Sequence, residues 1–471
     1  MSRRKHRPDE PLFPPGSPEN GPRPIVAVVG RPNVGKSTLF NRLAGRRIAI
    51  VHDEPGVTRD RHYADAWFGG RAYTLVDTGG FDPESDDPMR QGIARQVELA
   101  VGEADVIVCV FDASTGLVDA DRVAVQLLRK SGKPVLYVAN KADSPRAEAE
   151  AAELYRLGVG QLFGVSALHG RGVGELEAAL IDALPPEEPA PPEPAEGEVE
   201  RPLRVAIIGR PNAGKSSLVN RLAGGERVLV DDRPGTTRDA IDTLVERDGK
   251  RYVLVDTAGI RRKSKVAKED SVVEAQSVLH AIRALERCDV ALLMADASEG
   301  VAEQDAKIVG LAVERGRALV VALNKADLLT EPKAAQKAEE AAREKLSFVP
   351  YAPVCALSAL RGRGVGNLMR TVDRVAEGYA KRVPTGELNR FFEQVLQAHP
   401  PPTQGGKAPR LYYVTQASTR PPLFVVMTNA PESIHFSYQR YVVNQLRKAF
   451  GFEGVPIHVK YKPRRKHVWD R

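Results

Sequence analysis

Two octapeptides of one pattern, G-x-x-x-x-G-K-S, occur in this 471-residue chain and offer groups that bind phosphate. Glycine at both ends lets backbone N–H groups close around a phosphate. The lysine can reach phosphate oxygens, and the serine hydroxyl can bind Mg²⁺. The predicted nucleotide contacts are Gly30, Arg31, Pro32, Asn33, Val34, Gly35, Lys36 and Ser37, and Gly209, Arg210, Pro211, Asn212, Ala213, Gly214, Lys215 and Ser216.

The segments around the octapeptides supply the structural context that this motif needs. An apolar, β-branched run precedes each one, at residues 25–29 and 205–208, and predicts a buried strand. The apolar spacing of residues 39–44 predicts a helix after the first. Residues 30–45 and 209–224 are identical at 13 of 16 positions. Strand, glycine-bounded turn and helix therefore occur twice, which predicts two nucleotide-binding modules.

Two further motifs follow each octapeptide, displaced by 179 residues between the modules. A proline–glycine loop carries Thr58 or Thr237, which can close over a γ-phosphate and supply a second Mg²⁺ ligand. A strand-like run then ends at Asp77 or Asp256, where a carboxylate faces the ligand crevice of a doubly wound sheet. The nucleotide contacts predicted here are Asp77, Thr78, Gly79, Gly80 and Phe81, and Asp256, Thr257, Ala258, Gly259 and Ile260.

These loops predict a switch, because the N–H of Gly80 or Gly259 can sense the γ-phosphate and release the loop when that phosphate is lost. The predicted catalytic residues are Lys36, Thr58, Gly80, Lys215, Thr237 and Gly259. The predicted Mg²⁺ ligands are Ser37, Thr58, Asp77, Ser216, Thr237 and Asp256.

The last shared signal is N-K-A-D, followed further along the chain by S-A-L. An aspartate carboxylate can accept hydrogen bonds from N1–H and the exocyclic amine of guanine, whereas adenine lacks that donor pair. The motif therefore favours GTP over ATP. The predicted base contacts are Asn140, Lys141, Ala142, Asp143, Ser166 and Ala167, and Asn324, Lys325, Ala326, Asp327, Ser358 and Ala359.

The composition is typical of a globular protein with several domains. With 42% hydrophobic and 27% charged residues, the chain can bury ordinary cores in about three domains. No apolar run approaches the roughly 20 residues of a membrane span, and the basic, proline-rich start is neither a signal peptide nor an anchor. Cys109, Cys288 and Cys355 are scattered in apolar surroundings, which indicates reduced thiols and a cytoplasmic protein.

The net charge of +7 is concentrated near the C-terminus. Residues 379–471 contain 15 Lys or Arg against 5 Asp or Glu, and 13 of the 27 aromatic residues. Basic charge in a small aromatic-rich domain is typical of nucleic-acid binding. The alternative is a solvated basic face on a structural module.

The four motifs in order are similar to those of the translation-factor-like GTPases. Two such modules followed by a small basic domain resemble the Der (EngA) family, bacterial ribosome-assembly GTPases of the Era/TrmE-like class, over residues 24–463. The resemblance implies an α/β fold with two tandem P-loop GTPase domains, whose doubly wound sheets are mostly parallel, and a small α+β KH-like C-terminal domain. It also implies GTP hydrolysis, binding to the large ribosomal subunit and rRNA but not to membrane or DNA, and a cytoplasmic monomer.

The expected domain order follows from composition and motif positions. It is a disordered extension at 1–23, a first GTPase domain at 24–184, an acidic proline-rich linker at 185–202, a second GTPase domain at 203–378, a KH-like domain at 379–463 and a basic tail at 464–471. Within the KH-like domain, helices are predicted at 388–397 and 438–450 and strands at 410–415, 423–427 and 456–461. The G-x-x-G loop by which KH domains clamp a nucleic-acid backbone is absent from residues 398–437, between the two predicted helices of this domain.

Basic residues in two places are candidate RNA contacts. After the aspartate motif the first module carries four acids over 81–87, whereas the second carries five bases over 260–268. The second switch therefore contacts RNA or an acidic neighbour, unless the difference is ordinary surface variation. The predicted RNA contacts are Arg261, Arg262, Lys263, Arg447, Lys448, Lys460, Lys462, Arg464, Arg465 and Lys466.

The residue that many small GTPases use to orient the attacking water is missing. Phe81 and Ile260 stand where a glutamine would follow the aspartate motif. Arg59 and Arg238 are possible candidates for an arginine finger. Resemblance to a group of related GTPases implies that Asn33 and Asn212 hold K⁺, which supplies the missing charge. The alternative is that these asparagines only hydrogen-bond within the loop.

Two other functions remain open on the sequence. One is a non-catalytic scaffold in which a module binds nucleotide only to set domain geometry. The other is a tRNA-modification GTPase, although no cysteine-based or cofactor motif supports it.

Overall fold

The computed structural model describes residues 23–44, 63–78, 97–98, 100–143, 151–186, 201–224, 242–255, 270–331, 333–402 and 409–463. These residues fall into two compact units. The first holds the described parts of Gly21–Pro189 and Val266–Glu286, and the second those of Ala190–Lys265 and Arg287–Arg471. Within the described segments, no helix has the length and apolar character needed to cross a membrane.

The first unit is built around a six-stranded sheet with the order β2-β3-β1-β4-β5-β6. Only β2 is antiparallel to its neighbour, and the other pairs are parallel. The strands are β1 (Ile25–Gly30), β2 (Tyr63–Phe68), β3 (Arg71–Asp77), β4 (Val106–Asp112), β5 (Val135–Asn140) and β6 (Leu162–Val165). The helices are α1 (Lys36–Ala44), α2 (Asp119–Lys130) and α3 (Val173–Ala183), with a 3₁₀ helix at Ala152–Leu157.

Strands β1 and β4 are buried along their whole length. Both read as continuous apolar runs, since a parallel strand covered on both faces needs apolar side chains on each. Strand β1 lies between β3 and β4, where the order of the sheet reverses, and such a point opens a crevice at the carboxyl ends of the strands. The phosphate motif begins at that end of β1, which positions it for a ligand.

The second module repeats this arrangement. Its sheet has the order β12-β11-β10-β7-β9-β8, which is the first order read from the other edge. The strands are β7 (Leu203–Ile208), β8 (Thr243–Arg247), β9 (Lys250–Val255), β10 (Val290–Asp296), β11 (Ala318–Asn324) and β12 (Val354–Ala356). The helices are α4 (Lys215–Gly224), α6 (Glu303–Glu314), α7 (Ala334–Lys345) and α8 (Val365–Ala380), with a 3₁₀ turn at Ala326–Leu328. Helix α5 (Asp270–Arg287) precedes β10 in the chain, but its residues up to Glu286 belong to the first unit. The prediction of two doubly wound modules is confirmed.

The C-terminal region has the predicted α-β-β-α-β order. It consists of α9 (Thr385–Ala398), β13 (Leu411–Thr419), β14 (Pro422–Thr428), a 3₁₀ turn at Pro431–Ser433, α10 (Phe436–Phe450) and β15 (His458–Pro463). Strand β14 pairs antiparallel with β13 and parallel with β15. Strand β13 runs past its predicted end because polar Gln416 pairs with Phe424 across the sheet, and cross-strand pairing is invisible to an apolar pattern.

The C-terminal elements share one hydrophobic core with the second GTPase module. Buried Phe392, Phe452 and Val455 belong to the same cluster as Val320 of β11 and Tyr379 of α8. The Tyr379 hydroxyl donates a hydrogen bond to the Gly316 carbonyl at 2.9 Å. The second unit is therefore a GTPase module and a small α+β domain folded as one body.

Candidate active sites

The phosphate loop of the first module is closed around its own lysine. Lys36 begins α1, and its Nζ donates hydrogen bonds of 2.8 Å to the carbonyls of Gly30 and Arg31. Burial lowers the pKa of Lys36, and the Asp77 carboxylate opposes that shift. The lysine is thus held in a loop whose N–H groups and helix N-terminus favour an anion, which fits a phosphate oxygen as its functional partner.

The second loop has the same construction. Lys215 Nζ donates to the carbonyl of Gly209 at 2.6 Å and also to that of Arg210. Asn33 and Asn212, at equivalent positions, have φ angles of 65° and 63°, in the left-handed region that asparagine tolerates better than most residues. Both asparagine side chains are exposed, so they are accessible to an ion at the loop.

An asparagine ties the guanine motif to the phosphate loop. Asn140 at the end of β5 donates from Nδ2 to the Val34 carbonyl at 2.9 Å, and its Oδ1 accepts the Ala167 N–H at 2.9 Å. A Cβ on Gly35 would lie 2.3 Å from that Nδ2, so the loop requires glycine there. One side chain thus connects three of the predicted motifs.

Asn324 makes the matching contacts in the second module. It donates to the Ala213 carbonyl at 2.8 Å and accepts the Ala359 N–H at 2.8 Å. Two copies that share every contact show that this connection is a property of the motif set.

The serine and aspartate predicted for Mg²⁺ meet in the first module. Ser37 Oγ donates to Asp77 Oδ2 at 2.8 Å, at the carboxyl end of β3, and Thr78 Oγ1 donates to the Val28 carbonyl at 2.9 Å. A hydroxyl and a buried carboxylate at one point are hard oxygen donors of the kind that Mg²⁺ prefers. These residues are suitable for a Mg²⁺ site, in which phosphate oxygens and water molecules would complete the coordination shell.

A second lysine contact was missed by the sequence reasoning. Lys141 Nζ forms an ion pair with Asp112 Oδ2, and Lys325 Nζ forms one with Asp296 Oδ2, both at 2.6 Å. Burial alone would raise the pKa of Asp112, but hydrogen bonds from Lys141 and Ser114 hold it below its usual range. The pattern D-A-S, which ends β4 and β10 and recurs after 184 residues, was the signal available.

An ion pair behind each phosphate loop was also missed. Arg31 Nε lies 2.8 Å from Asp121 Oδ1, and Arg210 Nε lies 3.0 Å from Asp305 Oδ2. Both aspartates lie in the first turn of a helix, α2 or α6, with their side chains at most 2% exposed. Since the Arg31 and Arg210 carbonyls also accept from the loop lysines, these pairs fix the turn from the other side.

The predicted guanine-reading aspartates differ between the modules. Asp143 is exposed, and no described residue forms an ion pair with it. Asp327 Oδ2 lies 2.9 Å from Arg361 Nε. Leu168 and Leu360 follow the two Ser-Ala pairs, and both side chains are exposed. An exposed apolar side chain at this position could pack against the flat face of a guanine base.

The candidate RNA contacts fall into two groups. Lys460 and Lys462 of β15 are half-buried and alternate along the strand, opposite Val425 and Met427, so both lie on one face of the sheet. Lys448 is exposed. Arg447 instead donates to the carbonyls of Phe452 and Val455, and its guanidinium lies 3.8 Å from the centre of the Tyr351 ring. That guanidinium is occupied within the protein.

Several predicted residues lie outside the described segments, and their predictions stay as they are. They are Thr58, Gly79, Gly80, Phe81, Thr237, Asp256, Thr257, Ala258, Gly259, Ile260, Arg261, Arg262, Lys263, Arg464, Arg465 and Lys466. The linker from 187 to 200 and the extension up to 22 lie outside them too.

Phosphate loops at the switch point of a doubly wound sheet, tied by asparagine to an N-K-x-D motif, define the P-loop GTPases, and this chain has two such sites. A family model described as 50S ribosome-binding GTPase matches residues 25–141 and 204–325. A second, described as KH-domain-like of EngA bacterial GTPase enzymes, C-terminal, matches residues 382–462.

Full-length relatives agree with the family models. GTPase Der of Moorella thermoacetica is 49% identical over 442 residues, which cover 94% of this chain and 99% of that protein. GTPase Der of Syntrophotalea carbinolica is 49% identical over 441 residues, covering 93% and 99%. The chain belongs to the GTPase Der family and hydrolyses GTP, which confirms the resemblance read from its motifs.

Proposed function

We propose that this GTPase acts in assembly of the large ribosomal subunit, binding the subunit or its precursor through rRNA and leaving after GTP hydrolysis. The 50S ribosome-binding description of its GTPase modules and the +10 charge balance of residues 379–471 support this assignment. A cytoplasmic monomer is the form proposed to act.

Strand β11 connects the C-terminal domain to the second nucleotide site, and this connection is the main structural support for the proposal. At one end of this strand the Leu319 N–H donates to the Gly454 carbonyl of the C-terminal domain at 2.7 Å. At the other end Asn324 binds the phosphate loop through the Ala213 carbonyl. The strand runs five residues from Leu319 to Asn324, so about 16 Å separates the two contacts. A nucleotide bound here and RNA bound by the C-terminal domain would act on one rigid body.

The described residues account for charge stabilisation in the reaction. Lys36 and Lys215 would exchange loop carbonyls for phosphate oxygens, while backbone N–H groups of the loop offset charge that develops between the β- and γ-phosphates. Ser37 and its counterpart Ser216 would hold Mg²⁺, which would supply further positive charge to the phosphates. K⁺ at Asn33 and Asn212 is proposed to take the place of an arginine finger.

Sedimentation of the full chain with ribosomal subunits on sucrose gradients tests the function. Binding to the large subunit or its precursor is expected to be stronger with a non-hydrolysable GTP analogue than with GDP. Neutralising the five bases over 260–268 should reduce that difference without abolishing binding. Comigration with neither the subunit nor its precursor in any nucleotide state would overturn the proposed role and leave the GTPase activity intact.

A further inference from the structure

The loop that begins with the S-A-L base motif makes the same backbone hydrogen bonds in both modules. Its sequence differs between the modules at one position. The sequences are S-A-L-H-G-R and S-A-L-R-G-R, beginning at Ser166 and Ser358. The N–H of His169 donates to Ser166 Oγ at 3.2 Å, and the N–H of Arg361 donates to Ser358 Oγ at 3.2 Å. An antiparallel bridge closes each loop between its serine and its last arginine. His169 and Arg361 therefore occupy equivalent positions on equivalent supports.

Each loop is also held from behind by the same residue type. Arg42 Nε donates to the Ala167 carbonyl at 2.9 Å, and Arg221 Nε donates to the Ala359 carbonyl at 3.2 Å. The two modules thus form a natural matched pair in which the side chain at the fourth loop position is the variable.

That side chain contacts the aspartate only in the second module. The side chain of Arg361 is 57% exposed, and its Nε lies 2.9 Å from Oδ2 of Asp327, whose side chain is 9% exposed. The neighbouring Ser358 side chain, with further help from the charges of Arg361 and Arg363, holds the pKa of Asp327 below its usual range. Arg361 therefore contacts and orients the Asp327 carboxylate before any nucleotide binds.

The geometry leaves room for guanine. A carboxylate offers about four lone-pair sites, of which Arg361 Nε takes one. The remaining sites are enough to accept hydrogen bonds from the N1–H and amino donors of the base. Arg361 consequently supports guanine binding instead of competing with it, since an ordered acceptor loses less freedom when the ligand arrives.

We propose that Arg361 is a positioning residue for guanine recognition in the second site, and that His169 at its place makes the first site the weaker reader of guanine. This rests on Asp143 and Asp327 being the guanine-reading carboxylates. Arginine is charged at every working pH, whereas histidine carries a full charge only when protonated. The two GTPase sites would therefore differ in affinity although their phosphate loops are nearly identical.

The test measures GDP and IDP affinity in the full chain carrying Asp143→Asn, which directs the first site towards xanthine nucleotides. IDP lacks the exocyclic amine and so uses one fewer bond to the carboxylate. Arg361→Gln should weaken GDP binding about threefold to fivefold, the range of an exposed ion pair, and IDP binding less. Arg361→Lys should restore part of the preference for GDP. In the reciprocal chain with Asp327→Asn, His169→Arg should strengthen GDP binding at the first site.

Arg363→Gln is the matched control, since it removes the same charge from the same loop and the equivalent Arg171 is present in the first module. Equal losses in Arg361→Gln and Arg363→Gln, or equal losses for GDP and IDP, would overturn the positioning role. Tighter GDP binding in Arg361→Gln would also overturn it and identify Arg361 as a competitor. Loss of all GDP binding in the Asp143→Asn parent would instead contradict the assignment of Asp327 as the guanine reader.

Discussion

The backbone of Gly454 is bonded to two parts of the second GTPase module. Its carbonyl accepts the Leu319 N–H at 2.7 Å, and its own N–H donates to the Tyr351 carbonyl at 2.8 Å. Leu319 lies in β11, the strand that ends at the guanine motif. The contact therefore joins the small C-terminal domain to the element that positions the nucleotide site.

Gly454→Ala should weaken this junction. Gly454 has a φ of 68°, and an added Cβ would lie 2.7 Å from both the Leu319 carbonyl oxygen and a Val375 methyl group. We expect a loss of about 2–3 kcal/mol, because backbone strain and overpacking add. Urea unfolding of the full chain, followed by far-UV circular dichroism, measures it.

Gly451→Ala provides the control for that change. Gly451 has nearly the same φ, 69°, but an added Cβ would meet no atom within 4 Å. The strained backbone alone should therefore cost less, about 1 kcal/mol. If the two alanine variants were equally stable, the close packing at Gly454 would not be what holds the junction together.

Asp112→Asn should weaken guanine-nucleotide binding at the first site. The substitution keeps the side-chain shape and its acceptor for the Ser114 N–H, but removes the charge that holds Lys141. Because Lys141 belongs to the guanine motif, we expect GDP affinity at this site to fall up to about fivefold. Isothermal titration should resolve the change, with the untouched second site of the same molecule as internal control. A uniform loss at both sites would point to general destabilisation.

The sequence predicted those parts of the sites that lie within one continuous motif. Lys36, Ser37 and Asn140 could be assigned because strand, turn and helix fix their positions locally. Asp112 and Asp121 could not, since the sheet order and the start of α2 bring them to their partners from distant segments. The folding of the C-terminal domain onto β11 is likewise a tertiary event, which no local pattern records.

Potassium dependence is expected to separate the two interpretations of Asn33 and Asn212. If these exposed loop asparagines hold K⁺, GTP turnover in KCl should exceed that in NaCl at matched ionic strength. Asn33→Ala with Asn212→Ala should remove most of the difference, whereas the rate in NaCl should change little. Phosphate release under multiple turnover measures both. Equal rates in the two salts for the unmodified protein would assign the asparagines to loop structure alone.

The basic residues of the C-terminal domain should separate into RNA-binding and structural groups. Lys460 and Lys462 share one face of the sheet, so replacing both by alanine should lower rRNA affinity. The slope of log affinity against log salt should also become shallower by about one for each phosphate that the variant no longer binds, because fewer counterions are released from the RNA. Alanine at Arg464, Arg465 and Lys466 should extend the same trend.

Arg447→Ala should behave differently, because its guanidinium binds two carbonyls and covers the Tyr351 ring. We expect it to cost about 1–3 kcal/mol of stability, with little change in the salt slope. Filter binding of rRNA across a NaCl series at fixed potassium, paired with urea unfolding of each variant, distinguishes the two groups. A salt slope that fell in Arg447→Ala but not in the lysine variants would move the RNA surface away from β15. In that case the face of α10 that carries Arg447 and Lys448 would become the candidate.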